Sequence, residues 1–107
     1  MKYILTIALL LAFFISMAQA GEVIKEYSGN GMLETEAITV PDNWVVEWDY
    51  KGPYMQILVS SEDDVPLGYA GQQSGSGSGS QVQPEGGTYK LTINGVGDWK
   101  VKILKGK

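Results

Sequence analysis

Glu47 and Asp49 stand two residues apart, the spacing that aims two carboxylates from one strand face at a common substrate as acid and base. Cleaving a sugar bond this way also needs a walled cleft that separates the two pKa values, and a chain this short has little material for one. The pair therefore reads as part of a solvated outer face, and no catalytic residue is expected. Glu62-Asp63-Asp64 offers the hard oxygens that Ca²⁺ prefers. That ion wants roughly six to eight of them, however, and no D-x-D-x-D-G spacing is present. The cluster reads as a charged loop, and no metal is expected. The aromatic and amide residues are a more informative set. Trp44 follows Pro41-Asp42-Asn43, and Tyr50 and Tyr54 flank Lys51-Gly52-Pro53, with Asp49 and Gln56 close in sequence. Flat rings beside amides and carboxylates are what a sugar-stacking platform needs, the ring meeting C–H groups while the polar groups take hydroxyls. Trp44, Asp49, Tyr50, Tyr54 and Gln56 are the candidate ligand-binding residues.

Composition removes many alternatives. The 107 residues include 8 lysines, no arginine, 12 acidic residues, no histidine and no cysteine. A Ser-His-Asp triad, a cysteine nucleophile, a thiolate or imidazole zinc site and a disulfide framework are all excluded, and no cofactor is expected. Nucleic-acid affinity comes largely from basic side chains displacing counterions, so an acidic chain without arginine is not expected to bind a phosphate backbone.

The first residues predict a removable leader. Met1-Lys2 is a short positive start, Tyr3 to Ile15 is apolar apart from Thr6, and Ala18-Gln19-Ala20 is a small-x-small cleavage site. Residues 1–20 read as a secretory signal peptide, too short in its apolar part for the roughly 20 residues that span a bilayer. Residues 21–107 then form a single periplasmic or secreted domain with no membrane insertion. Losing Lys2 leaves seven lysines against twelve acidic residues, a net charge of −5. Without cysteines, the stability of so small a domain must come from its core.

The remaining pattern is of strands and turns, with no helical period. Strands are expected at Glu22–Tyr27, Met32–Val40, Trp44–Tyr50, Tyr54–Ser60, around Leu67–Gly71, and at Gln81–Gln83. Gly29-Asn30-Gly31 reads as a tight hairpin turn between the first two. A closing hairpin is expected over Thr88–Leu104, turning at Asn94–Asp98. In Trp44–Tyr50 the residues Trp44, Val46, Trp48 and Tyr50 share one face, and Val45, Glu47 and Asp49 the other. Ser74–Ser80 alternates Ser and Gly, and is either a flexible loop or an edge segment held by its neighbours. Lys90, Lys100 and Lys102 should share the outward face of the closing hairpin, pairing with Glu34 and Glu36 or guarding an edge. About seven or eight short strands, each with one apolar face, predict an all-β, compact antiparallel β-sandwich of jelly-roll or immunoglobulin-like kind.

Gly29-x-Gly31, Trp44-x-Val46-x-Trp48-x-Tyr50, the Ser-Gly run, and Gly86-Gly87-Thr88-Tyr89-x-Leu91-x-Ile93 before Gly97-x-Trp99-x-Val101-x-Ile103 together resemble small bacterial extracytoplasmic β-sandwich proteins. The closing motif is similar to that of bacterial pre-peptidase C-terminal domains, which are non-catalytic sandwiches. The resemblance implies a small non-catalytic extracytoplasmic binding module for a glycan, a peptidoglycan fragment or a protein. The alternative is a structural or assembly protein of the envelope acting through a sheet face or edge.

Overall fold

The computed structural model describes residues 21–106; the expected leader lies outside them. Seven strands follow in order: β1 (Val23–Glu34), β2 (Ile38–Val40), β3 (Trp44–Lys51), β4 (Tyr54–Ser61), β5 (Pro66–Ser74), β6 (Gly77–Gln83) and β7 (Gly87–Leu104). The chain is all-β, and every strand pairing is antiparallel. The order is β5-β4-β7-β3-β6, with β1 and β2 along the other side of β7.

The registers resolve these seven into four long chain segments, each bent in the middle. Along one side of β7, Tyr89–Gly95 pairs with β4 and Asp98–Leu104 pairs with β3. The other side takes β2 and then β1. β5 and β6 flank β4 and β3 in the same way. Bending brings the two ends of β7 together. Val45 pairs with Leu104 at one end, while the ring of the adjacent Trp44 stacks at 5.6 Å on Tyr89 near the other. One sheet folded over itself therefore supplies both layers of the sandwich. Ile38, Val40, Met55, Ile57, Val59, Ala70, Leu91 and Ile93 line one layer, and Trp44, Val46, Trp48, Tyr50, Trp99, Val101 and Ile103 line the other. Burying each larger side chain contributes about 1.5–3 kcal/mol, and this core replaces the absent disulfides.

Two expected turns are instead the corners at which strands fold over. Gly29-Asn30-Gly31 is not a hairpin turn: β1 runs through it for 12 residues, with a register shift between Asn30 and Gly31. Asn94–Asp98 likewise lies inside one 18-residue strand. Gly31 (φ 98°) and Gly97 (φ 115°) take the left-handed backbone that sharpens each corner. An Asn-Gly pair suits a bulge as well as a two-residue turn, and here pairing with distant strands decides for the bulge. The single strand expected over Met32–Val40 is split at 35–37, where Thr35 maintains the pairing: its N–H donates to Leu91 O at 2.9 Å and its Oγ1 accepts from Leu91 N–H at 3.0 Å.

The Ser-Gly run is an edge segment, ending β5 and beginning β6. Its place is set by Trp48, whose indole spreads under both edge strands. A Cβ on Gly71 or on Gly79 would fall 2.5 Å from that ring. The tryptophan thus fills the layer that these strands lack side chains to fill.

Candidate functional site

β3 carries three of the five expected binding residues, and its alternation decides their fate. Trp44 and Tyr50 share parity with Val46 and Trp48, so burying the apolar face takes them inside, to 2% and 1% exposure. Trp44 stacks on Tyr89 and donates from Nε1 to Glu85 O at 2.8 Å. Tyr50 Oη accepts from the Tyr54 N–H at 3.1 Å and reaches the carbonyls of Tyr54 and Val96. At these exposures neither ring can serve as a platform on which a sugar stacks. Tyr54 is exposed, and its hydroxyl accepts from Gln56 Nε2 at 3.1 Å. Asp49 lies on the outer face of the other layer, accepting from Ser78 Oγ at 3.1 Å. The expected stacking platform is not assembled.

Three other polar features do meet. Glu47 and Asp49, Lys100 and Lys102, and Ser78 and Ser80 line a shallow groove of about 470 Å³ with Glu26. The pairing writes this face as two rows, Glu26-Lys102-Glu47-Ser80 and Ser28-Lys100-Asp49-Ser78. Lys102 therefore stands between Glu26 and Glu47, and Lys100 between Ser28 and Asp49, not beside Glu34 and Glu36 as expected. They sit mid-sheet, not at an edge, because β7 is central. Alternating signs in cross-strand neighbours neutralise one another, which suits a solvated face.

Lys90 instead pairs with Asp64 at 3.1 Å, across from the acidic loop. Among the described residues no group of three acidic side chains is placed to hold a metal ion. Glu36 is taken by Lys25 at 3.5 Å and by the Tyr27 hydroxyl, which donates to it at 2.9 Å. Burial and this carboxylate push the Tyr27 phenol up to about 12. Glu36 is held below its ordinary value, first by its own backbone amide and then by Tyr27.

Sequence reasoning missed a second groove, at the end of the sandwich where Trp44 and Tyr89 stack. The segments 41–43 and 84–86 are tied together by Asn43 N–H to Pro84 O at 3.1 Å and Gly86 N–H to Asp42 Oδ1 at 2.7 Å. Beside them a groove of about 590 Å³ opens between the start of β5 and the end of β6. Leu67 and Tyr69 form one wall, Gln83, Pro84 and Glu85 the other, and Trp44, Val59 and Tyr89 the floor. Leu67 and Tyr69 are 56% and 51% exposed. Trp44 Nε1 and the Tyr89 hydroxyl both point at Glu85 O, at 2.8 and 3.2 Å. Gln83 differs: its Nε2 is buried and has no hydrogen-bond partner. Asp42, Glu62, Asp63, Asp64 and Glu85 lie on the strand connections at this end, where Lys90 is engaged by Asp64 and Lys105 by Glu22 at 3.3 Å. No local pattern marks Gln83, because its burial depends on the pairing of Trp44 with Gln83 across β3 and β6.

No protein family matches the chain, and no curated protein matches it. Among solved structures, the chain is similar to Aeromonas hydrophila PliG, a periplasmic lysozyme inhibitor of g-type lysozyme, with a TM-score of 0.45 and 11% identity over 75% of this chain and 80% of that chain.

Proposed function

We propose that the chain is a non-catalytic extracytoplasmic binding module that takes an extended, basic polypeptide segment in the groove between Leu67-Tyr69 and Gln83-Glu85. The observation that carries this reading is the groove of about 590 Å³ walled by Leu67, Tyr69 and Gln83, beside which the buried Gln83 Nε2 has no hydrogen-bond partner. A buried donor without an acceptor costs about 1–3 kcal/mol, and such groups persist where something other than folding uses them. A peptide carbonyl is the acceptor that fits once the Gln83 amide turns outward into the groove. One apolar side chain of the same segment would cover Leu67, Tyr69 and Val59, and a neighbouring lysine or arginine would face the carboxylates of the rim. A polypeptide is favoured over a glycan by the polar inventory. The Trp44 and Tyr89 donors already serve Glu85 O, and these two rings stack on each other. A sugar with several hydroxyls would leave most of them unpaired.

The test is a selection of displayed random peptides on residues 21–107, followed by affinity measurement on the wild type and on Gln83→Leu. Enriched peptides should carry an aliphatic or aromatic residue beside lysine or arginine, and should lose about tenfold in affinity on the variant. Peptides that bind both proteins equally would overturn the reading. So would a failure to enrich any peptide combined with binding of chitin oligomers at the same groove.

A further inference from the structure

We propose that β6 is a self-association edge, through which two copies of the chain pair antiparallel about a two-fold axis at Ser80. The inference does not rest on the groove. It rests on a comparison of the exposed edges of the sheet. An edge strand shows every second N–H and C=O to solvent as a template for another strand, and natural proteins blunt it with charges, proline or bulges. β1 carries Lys25, Glu26 and Glu34 and has two register shifts against β7, and β2 beside it is only three residues long. β5 opens with Pro66 and has two shifts against β4. β6, Gly-Ser-Gly-Ser-Gln-Val-Gln, has none of these devices: no charge, no proline, and continuous register with β3 over Gly77–Gln83.

The occupant is argued from charge and symmetry. Residues 21–107 carry a net charge of −5, so two copies repel wherever charged surfaces meet. β6 is the neutral strand on which they can approach. A two-fold at Ser80 sets Ser80 opposite Ser80, Gly79 opposite Gln81, and Val82 opposite the second copy's Ser78. Val82, 57% exposed, then packs across the junction, and the glycines bring no side chain that could clash. Each copy uses the same patch, so the contact closes at two. The contact is a ladder with little apolar surface, which makes the association weak and concentration dependent. Salt screens the repulsion between the two chains and should strengthen it.

Sedimentation equilibrium of residues 21–107, which hold every strand of the sandwich, tests this. The mass should rise from one copy to two with concentration, and further toward two when sodium chloride is added. Ser80→Lys sets two like charges against each other at the axis, while in the monomer it faces Glu47 across the strand pair. It should stay monomeric and melt at the wild-type temperature. As a readout independent of that variant, β6 amides facing away from β3 should exchange with deuterium more slowly in concentrated than in dilute wild-type protein. A wild type that stays monomeric up to millimolar concentration in salt would overturn the proposal. So would an open-ended series of masses, a Ser80→Lys variant that associates as tightly as wild type, or β6 exchange independent of concentration.

Discussion

Tyr50 Oη lies 2.8 Å from the carbonyl oxygen of Tyr54 and 3.1 Å from its amide nitrogen, so one phenol serves both backbone groups where β3 passes into β4. Between these residues Gly52 and Pro53 leave the ladder. A backbone group that leaves the ladder must find another partner, and here a side chain from the preceding strand provides it.

Tyr50→Phe keeps the ring in place and removes only this hydroxyl. Leaving the Tyr54 groups unserved should cost about 1–3 kcal/mol, and each kcal/mol lowers the melting temperature of a domain this size by roughly 4–8 °C. Calorimetry of the variant checks this. An unchanged melting temperature would show that water replaces the hydroxyl without loss.

Thr35 does the same work at the break between β1 and β2. Thr35→Val preserves its shape but leaves the buried Leu91 N–H without the acceptor now at 3.0 Å. The expected loss is about 1–3 kcal/mol in urea unfolding, with faster exchange of the Leu91 amide. Thr35→Ser should recover most of it. Equal stability of the Val and Ser variants would contradict the role assigned to the hydroxyl.

How much of this could be read beforehand depended on the range of the interaction. The shared face of Trp44, Val46, Trp48 and Tyr50 is legible in the sequence, because alternation within one strand places a residue inside or outside regardless of its partners. That same parity placed Trp44 and Tyr50 inside, and their nearness to Pro41-Asp42-Asn43 and Lys51-Gly52-Pro53 misdirected the functional reading. Gly29–Gly31 and Asn94–Asp98 were read as turns because Asn-Gly carries the same local signal at a corner as at a hairpin. Only the pairing of β1 with the whole of β7 distinguishes the two. The groove was invisible for a related reason. Leu67, Gln83 and Tyr89 belong to three strands that meet only when the sheet folds over.

Tyr27 should govern the alkaline limb of stability. Its phenol is raised from 10.0 to about 12, so the folded chain holds this proton more tightly than the unfolded one. Its contribution is complete below pH 10.0 and is lost as pH rises through about 12. Tyr27→Phe should flatten the pH dependence of unfolding in that window, and Glu36→Gln should bring the phenol back toward 10.0 in tyrosinate absorbance. For Glu36 the sign is opposite: its contribution is present above 4.5 and is lost as pH falls through its lowered value. An alkaline limb identical in Tyr27→Phe and wild type would rule this out.

Within the Ser-Gly run, neighbouring positions should respond differently. Gly79→Ala drives a Cβ to 2.5 Å from Trp48 and should cost about 1–3 kcal/mol, with altered tryptophan fluorescence. Ser80→Ala, on the exposed face of the same strand, should fall within about 0.5 kcal/mol of wild type. Equal tolerance at both positions would mean that Trp48 does not hold the run in place.

The most direct test of the groove is the melting temperature of Gln83→Leu. If Gln83 Nε2 is a buried donor held without an acceptor, replacing it with an apolar side chain should stabilise the free protein by about 1–3 kcal/mol, raising the melting temperature by several degrees. A variant that melts lower than wild type would show that the amide serves the fold, and would contradict its assignment to a partner.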